Sequence, residues 1–112
     1  MAHGSIIGYD INAKMCQISY YNEAQHEPET VKNESGEYQI PLVIGCKNDA
    51  WYIGEEARSH AKHKDGAMAT DLLAKSMHGA KIHLGRRTYD AVWLLAKFIR
   101  LTLQQFDKIE SI

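Results

Sequence analysis

The chain has 112 residues, with 13 Lys and Arg against 14 Asp and Glu and a formal net charge of -1, so charge supplies no general attraction for nucleic acid or an anionic membrane. With 45 % hydrophobic and 24 % charged residues and two cysteines, Cys16 and Cys46, composition excludes an intrinsically disordered chain and a disulfide framework. One domain of ordinary size fits. Residues 1–5, Met1-Ala2-His3-Gly4-Ser5, lack the basic and apolar regions of a secretory signal and read as a leader or cloning remnant. The longest apolar run, Ala91 to Ala96, is six residues, against the roughly 20 needed to span a bilayer. A soluble, cytoplasmic protein is expected.

The first half reads as strands. Ile6-Ile7-Gly8-Tyr9 is a short apolar run ending at Asp10. Met15 to Tyr21 follows, with Cys16, Ile18 and Tyr20 alternating against Gln17 and Ser19, the period of a strand with one buried face. The link Ile11-Asn12-Ala13-Lys14 is short enough for a hairpin, and Asn12 tolerates the left-handed conformation such loops use. Pro28 to Val31 suggests a third strand. Asn33-Glu34-Ser35-Gly36 is a turn cluster. Tyr38 to Cys46 is extended but interrupted by Pro41, which puts it at an edge or starts it at Leu42. Lys47-Asn48-Asp49 turns the chain into Trp51-Tyr52-Ile53, closing a second hairpin.

The second half reads as helix. Glu55 to His63 places acidic residues first and basic ones last, ended by Lys64-Asp65-Gly66. Thr70 to His78 is a shorter helix with Gly79 at its C-terminal cap. Thr88 is a candidate N-cap for a long helix running to Asp107. In that helix Tyr89, Val92, Trp93, Ala96, Ile99, Leu103 and Phe106 share one stripe, while Leu94, Leu95, Phe98 and Leu101 lie largely off it. Such a broad apolar coat implies either a central core helix or a face that meets another surface, including a second copy of the chain.

A strand that ends in aspartate, followed by a tight loop and a returning strand, is chemically useful. Loop N–H groups can cradle phosphate oxygens, and the carboxylate can hold magnesium, chiefly through water. Read from the residues alone, Asp10 equally serves as a turn cap. His60 and His63 on one helix, with His78 and His83 nearby in sequence, form no zinc pattern. Cys16 reads as a buried strand residue and Trp51-Tyr52 as hairpin packing.

The order Ile6-Ile7-Gly8-Tyr9-Asp10 then Cys16-Gln17-Ile18-Ser19 resembles the opening of the actin-like ATPases, most closely the DnaK-type heat-shock chaperones. The turn Asn33-Glu34-Ser35-Gly36 with Pro41 after it, Tyr52-Ile53-Gly54-Glu55-Glu56-Ala57, Ala74-Lys75-Ser76-Met77-His78-Gly79 and the helix from Thr88 keep that family's order, from Ile6 to about Phe106. The resemblance implies a ribonuclease-H-like α/β or α+β half-lobe, a mixed sheet begun by antiparallel strands with helices packed on it. Residues 6–112 would be the N-terminal portion of an incomplete ATPase lobe, with ATP bound and hydrolysed with Mg2+ only in the intact protein. It implies that Asp10 positions magnesium, that Asn12, Ala13 and Lys14 face phosphate, and that Lys75 contacts the terminal phosphate region. A lysine there offsets charge on the transferring phosphoryl oxygens. The family's Leu-Gly-Thr-Thr loop is replaced by Ile11-Asn12-Ala13-Lys14, which loses the glycine and both hydroxyls. The other reading is a non-catalytic module of the same fold that binds protein or self-associates through the 88–107 helix.

Overall fold

The computed structural model describes residues 7–33, 35–63 and 66–110, with side chains to residue 106. The leader read over residues 1–5, Ile6, and the Glu34, Lys64 and Asp65 parts of two turns lie outside the described residues. The chain order is β1 (Ile7–Ile11), β2 (Met15–Asn22), β3 (Glu27–Thr30), β4 (Ile40–Pro41), β5 (Ile44–Lys47), β6 (Ala50–Ile53), α1 (Gly54–Ala61), β7 (Ala67–Ala69), α2 (Leu72–Met77), β8 (Lys81–Leu84), β9 (Arg87–Asp90) and α3 (Ala91–Glu110).

The first hairpin forms as its alternation predicts, with Ile7 opposite Tyr20 and Ile11 opposite Cys16. β3 extends the meander as an edge, where Pro28 removes no needed donor. Pro41 divides the predicted Tyr38–Cys46 stretch between two sheets. Ile40 and Pro41 pair with Cys16 and Met15, Leu42 N–H donates to the Lys14 carbonyl at 2.8 Å, and the chain then enters a second sheet at Ile44. That sheet runs β6-β5-β7. Its β5–β6 turn carries Asn48 and Asp49 at φ of 51° and 65°, the paired left-handed residues of a two-residue hairpin.

The structure differs from the sequence expectation in four places. Among the described residues every strand pair is antiparallel, where a mixed sheet was expected. β7 is three residues, Ala-Met-Ala, too short and too weak in β-propensity to announce itself; it forms because β5 offers it an edge. Thr88 is not a helix cap. It lies in β9 opposite His83, and its hydroxyl meets His83 Nδ1 at 2.7 Å. The β8–β9 hairpin turns at Gly85, φ 67°, and α3 begins only at Ala91. The α2 helix also starts later than expected, and Gly79 adopts φ 64° just beyond its end, as a C-terminal glycine should.

The core settles the orientation of α3. Ala91, Leu94, Phe98, Thr102 and Phe106 are buried, at spacings of three and four residues. Leu94 and Phe98 join Ile40, Leu42, Ile44, Ile53 and Leu72 in the main cluster; Phe106 joins Ile18 and Val31 in a second. Of the stripe read from Tyr89 to Phe106, Val92 (56 % exposed), Trp93 (47 %) and Ala96 lie outside, Ile99 and Leu103 are half-buried, and Phe106 is buried. Leu94 and Phe98, proposed from sequence as part of a self-association surface, are at 0 % exposure and unavailable for one.

Candidate functional site

Strand alternation turns Tyr9 and Ile11 toward the core and leaves Asp10 exposed one residue before the end of β1, opposite Gln17. Asn12, Ala13 and Lys14 form the exposed turn that follows. Asn12 does not take the left-handed backbone expected of it; it is absent from the residues of positive φ. Its side chain makes the turn instead. Asn12 Oδ1 accepts from Lys14 N–H at 2.8 Å and Met15 N–H at 3.0 Å, while Asn12 N–H donates to the Met15 carbonyl at 2.9 Å. Three N–H groups that could have faced phosphate oxygens are thus engaged within the loop. A phosphate would have to displace the neutral Asn12 carbonyl, which charge-assisted hydrogen bonds are strong enough to do, or be met by the Lys14 ammonium.

Lys75 lies in α2, half-buried, and α2 packs on α3. Among the described residues no hydrogen bond or ion pair joins Lys75 to Asp10. Nor do three His, Cys, Asp or Glu side chains gather into a metal-binding group. A magnesium ion held by Asp10 would take the rest of its shell from water and phosphate oxygens, which suits that cation.

Two titratable groups of the hairpin, half-buried Tyr9 and buried Cys16, are shifted. Burial holds the Tyr9 phenol well above its usual value, against a smaller opposing effect of its hydrogen bond with Thr102; burial also pushes the Cys16 thiol up. Both are acids whose folded form retains a proton that the unfolded chain releases. Their stabilising contribution is complete at neutral pH and is lost as pH climbs from the ordinary thiol and phenol values toward the raised ones. The urea midpoint should therefore fall progressively above about pH 9, and Tyr9→Phe should flatten the upper part of that fall. A midpoint level through pH 11 would contradict this.

Sequence reasoning missed an aromatic cluster. Trp51 of β6 packs edge-on to Tyr89 at 5.5 Å and against Trp93 at 5.7 Å; Tyr89 and Trp93 stack at 5.2 Å. The Lys97 ammonium lies 5.9 Å from the Trp51 ring centre. Trp51 and Tyr89 are too far apart in sequence for any periodicity to link them. Tyr52, on the other face of β6, stacks on His60 at 3.7 Å.

These features define an α+β domain of antiparallel sheets and packed helices, with an exposed aspartate in β1 beside one hairpin turn and no helix among the described residues long and apolar enough to cross a membrane. Residues 27–112 match the C-terminal region of a family of unknown function, DUF5716, and the chain belongs to that family. No curated protein matches it.

Proposed function

We propose that this chain is the front portion of the first lobe of a cytoplasmic, actin-like ATPase of the DnaK type, with the ribonuclease-H-like fold. The intact protein would hydrolyse ATP with magnesium, and this stretch alone would be inactive. One observation carries the reading: β1 carries an exposed aspartate, Asp10, one residue before its end at Ile11, passes through a three-residue turn and returns as β2 and β3 of an antiparallel meander. In that reading Asp10 orients magnesium through water. Lys14 compensates for the backbone N–H groups that Asn12 occupies, and Lys75 approaches the terminal phosphate as the lobes close. Calorimetric titration of this chain with magnesium-ATP should give no micromolar binding, because one contact turn cannot enclose a nucleotide. Micromolar affinity would contradict the assignment of the chain as an incomplete lobe.

A second reading is supported by the Asn12 contacts together with the aromatic cluster. Here the turn is a structural Asx motif, and the chain is a non-catalytic module that pairs with a second copy through Trp51, Val92 and Trp93. Exposed apolar surface of this kind marks interaction faces more often than solvent-facing ones when it is contiguous. Sedimentation across a concentration series should show self-association that Trp93→Glu abolishes. A monomer at every concentration would sink this reading.

A further inference from the structure

We infer that Tyr9 and Thr102 are a positioning pair that ties helix α3 to the strand carrying Asp10. Thr102 has a single hydroxyl proton, and it donates that proton to the Ile99 carbonyl at 2.7 Å. The Tyr9 and Thr102 hydroxyls meet at 2.8 Å, which links Tyr9 through Thr102 to the α3 backbone. Thr102 is 1 % exposed, the one buried polar residue of the core among the described residues. Away from water, a broken link is not replaced by solvent, so the pair holds its geometry.

Its placement gives the link a consequence. Tyr9 is the inward neighbour of Asp10, and Asp10 stands two residues before the Asn12 turn. Among the described residues β1 pairs with β2 and with no other strand. Its second anchor is therefore α3, through packing and through this hydroxyl. Helix α3 also carries Trp93 on its outer face. A rotation or slide of α3 displaces Thr102 and is passed through Tyr9 to the backbone directly beneath Asp10. The effect on magnesium at Asp10 rests on the nucleotide reading above; the mechanical link does not.

Thr102→Val and Tyr9→Phe each remove one hydroxyl and keep the shape. Amide hydrogen exchange should become about five-fold faster from Asp10 to Met15 in either variant, the factor that one net hydrogen bond corresponds to. Exchange in β5 and β6 should change less, and the double variant should add nothing further. Unchanged exchange at the turn, or an equal rise in every strand, would overturn the coupling. In the intact protein the same variants should raise the magnesium concentration needed for half-maximal hydrolysis several-fold, with a smaller change in kcat. A turn-specific exchange effect in a protein that never binds magnesium-ATP would uphold the coupling and overturn the nucleotide reading.

Discussion

Phe98→Ala should remove much of the stability of this domain, whereas Trp93→Ala should cost far less. Phe98 is fully enclosed by the main core cluster, and its ring has no route to solvent. Truncating such a residue costs about 3–5 kcal/mol, because the lost transfer free energy is joined by the cavity left behind. Domains of this size are stable by only about 5–15 kcal/mol in total. Trp93 is 47 % exposed and touches Trp51 and Tyr89 from outside. Its loss removes aromatic contacts of about 0.5–1.5 kcal/mol without opening a sealed cavity. Urea unfolding of the two variants reads the difference directly. A larger loss in Trp93→Ala would mean that the outer stripe of α3 is the packed one, and the core described above would be wrong.

The second large effect belongs to the nucleotide reading proposed above, in hydrolysis by the intact protein. On that reading Asp10→Asn should lower kcat about 100-fold, since a neutral amide would no longer hold the magnesium that polarises the phosphates. Lys75→Ala should have a loss of similar order, by removing charge compensation at the transferring group. The two should differ in metal dependence. Added magnesium should partly restore Asp10→Asn and leave Lys75→Ala unimproved. Steady-state hydrolysis at rising magnesium tests both, and wild-type rates in either variant would remove that residue from the site. Asp10 is exposed one residue before the end of β1, and Lys75 is half-buried on α2.

The hairpin that carries the candidate site was legible because its signals are local. The aspartate near a strand end, the short link to Met15 and the alternation of Cys16, Ile18 and Tyr20 lie within a dozen residues, and the register of β1 on β2 follows from them. What Asn12 does there was not legible. Both a left-handed backbone and a side-chain cap are open to asparagine, and the second occurs. The DnaK-type resemblance rests on residues spread from β1 to α3 and is a statement about order in the chain; side-chain distances across the site lie outside what it implies.

The sequence by itself determined the two early hairpins, the turn at Asn33, the break at Pro41 and the glycine end of α2. Each is a short-range property: the φ a residue tolerates, the donor a proline lacks, the period of a strand. Tertiary structure decided the rest. α3 is apolar on nearly every side, so periodicity alone offered two stripes, and packing against Ile44, Ile53 and Leu72 selected Leu94 and Phe98 over Val92 and Trp93. β7 exists because β5 had an open edge. The Tyr9–Thr102 hydrogen bond spans 93 residues. Burial and long-range pairing belong to the assembled chain; a residue's own neighbours in sequence carry no record of which distant surface will cover it.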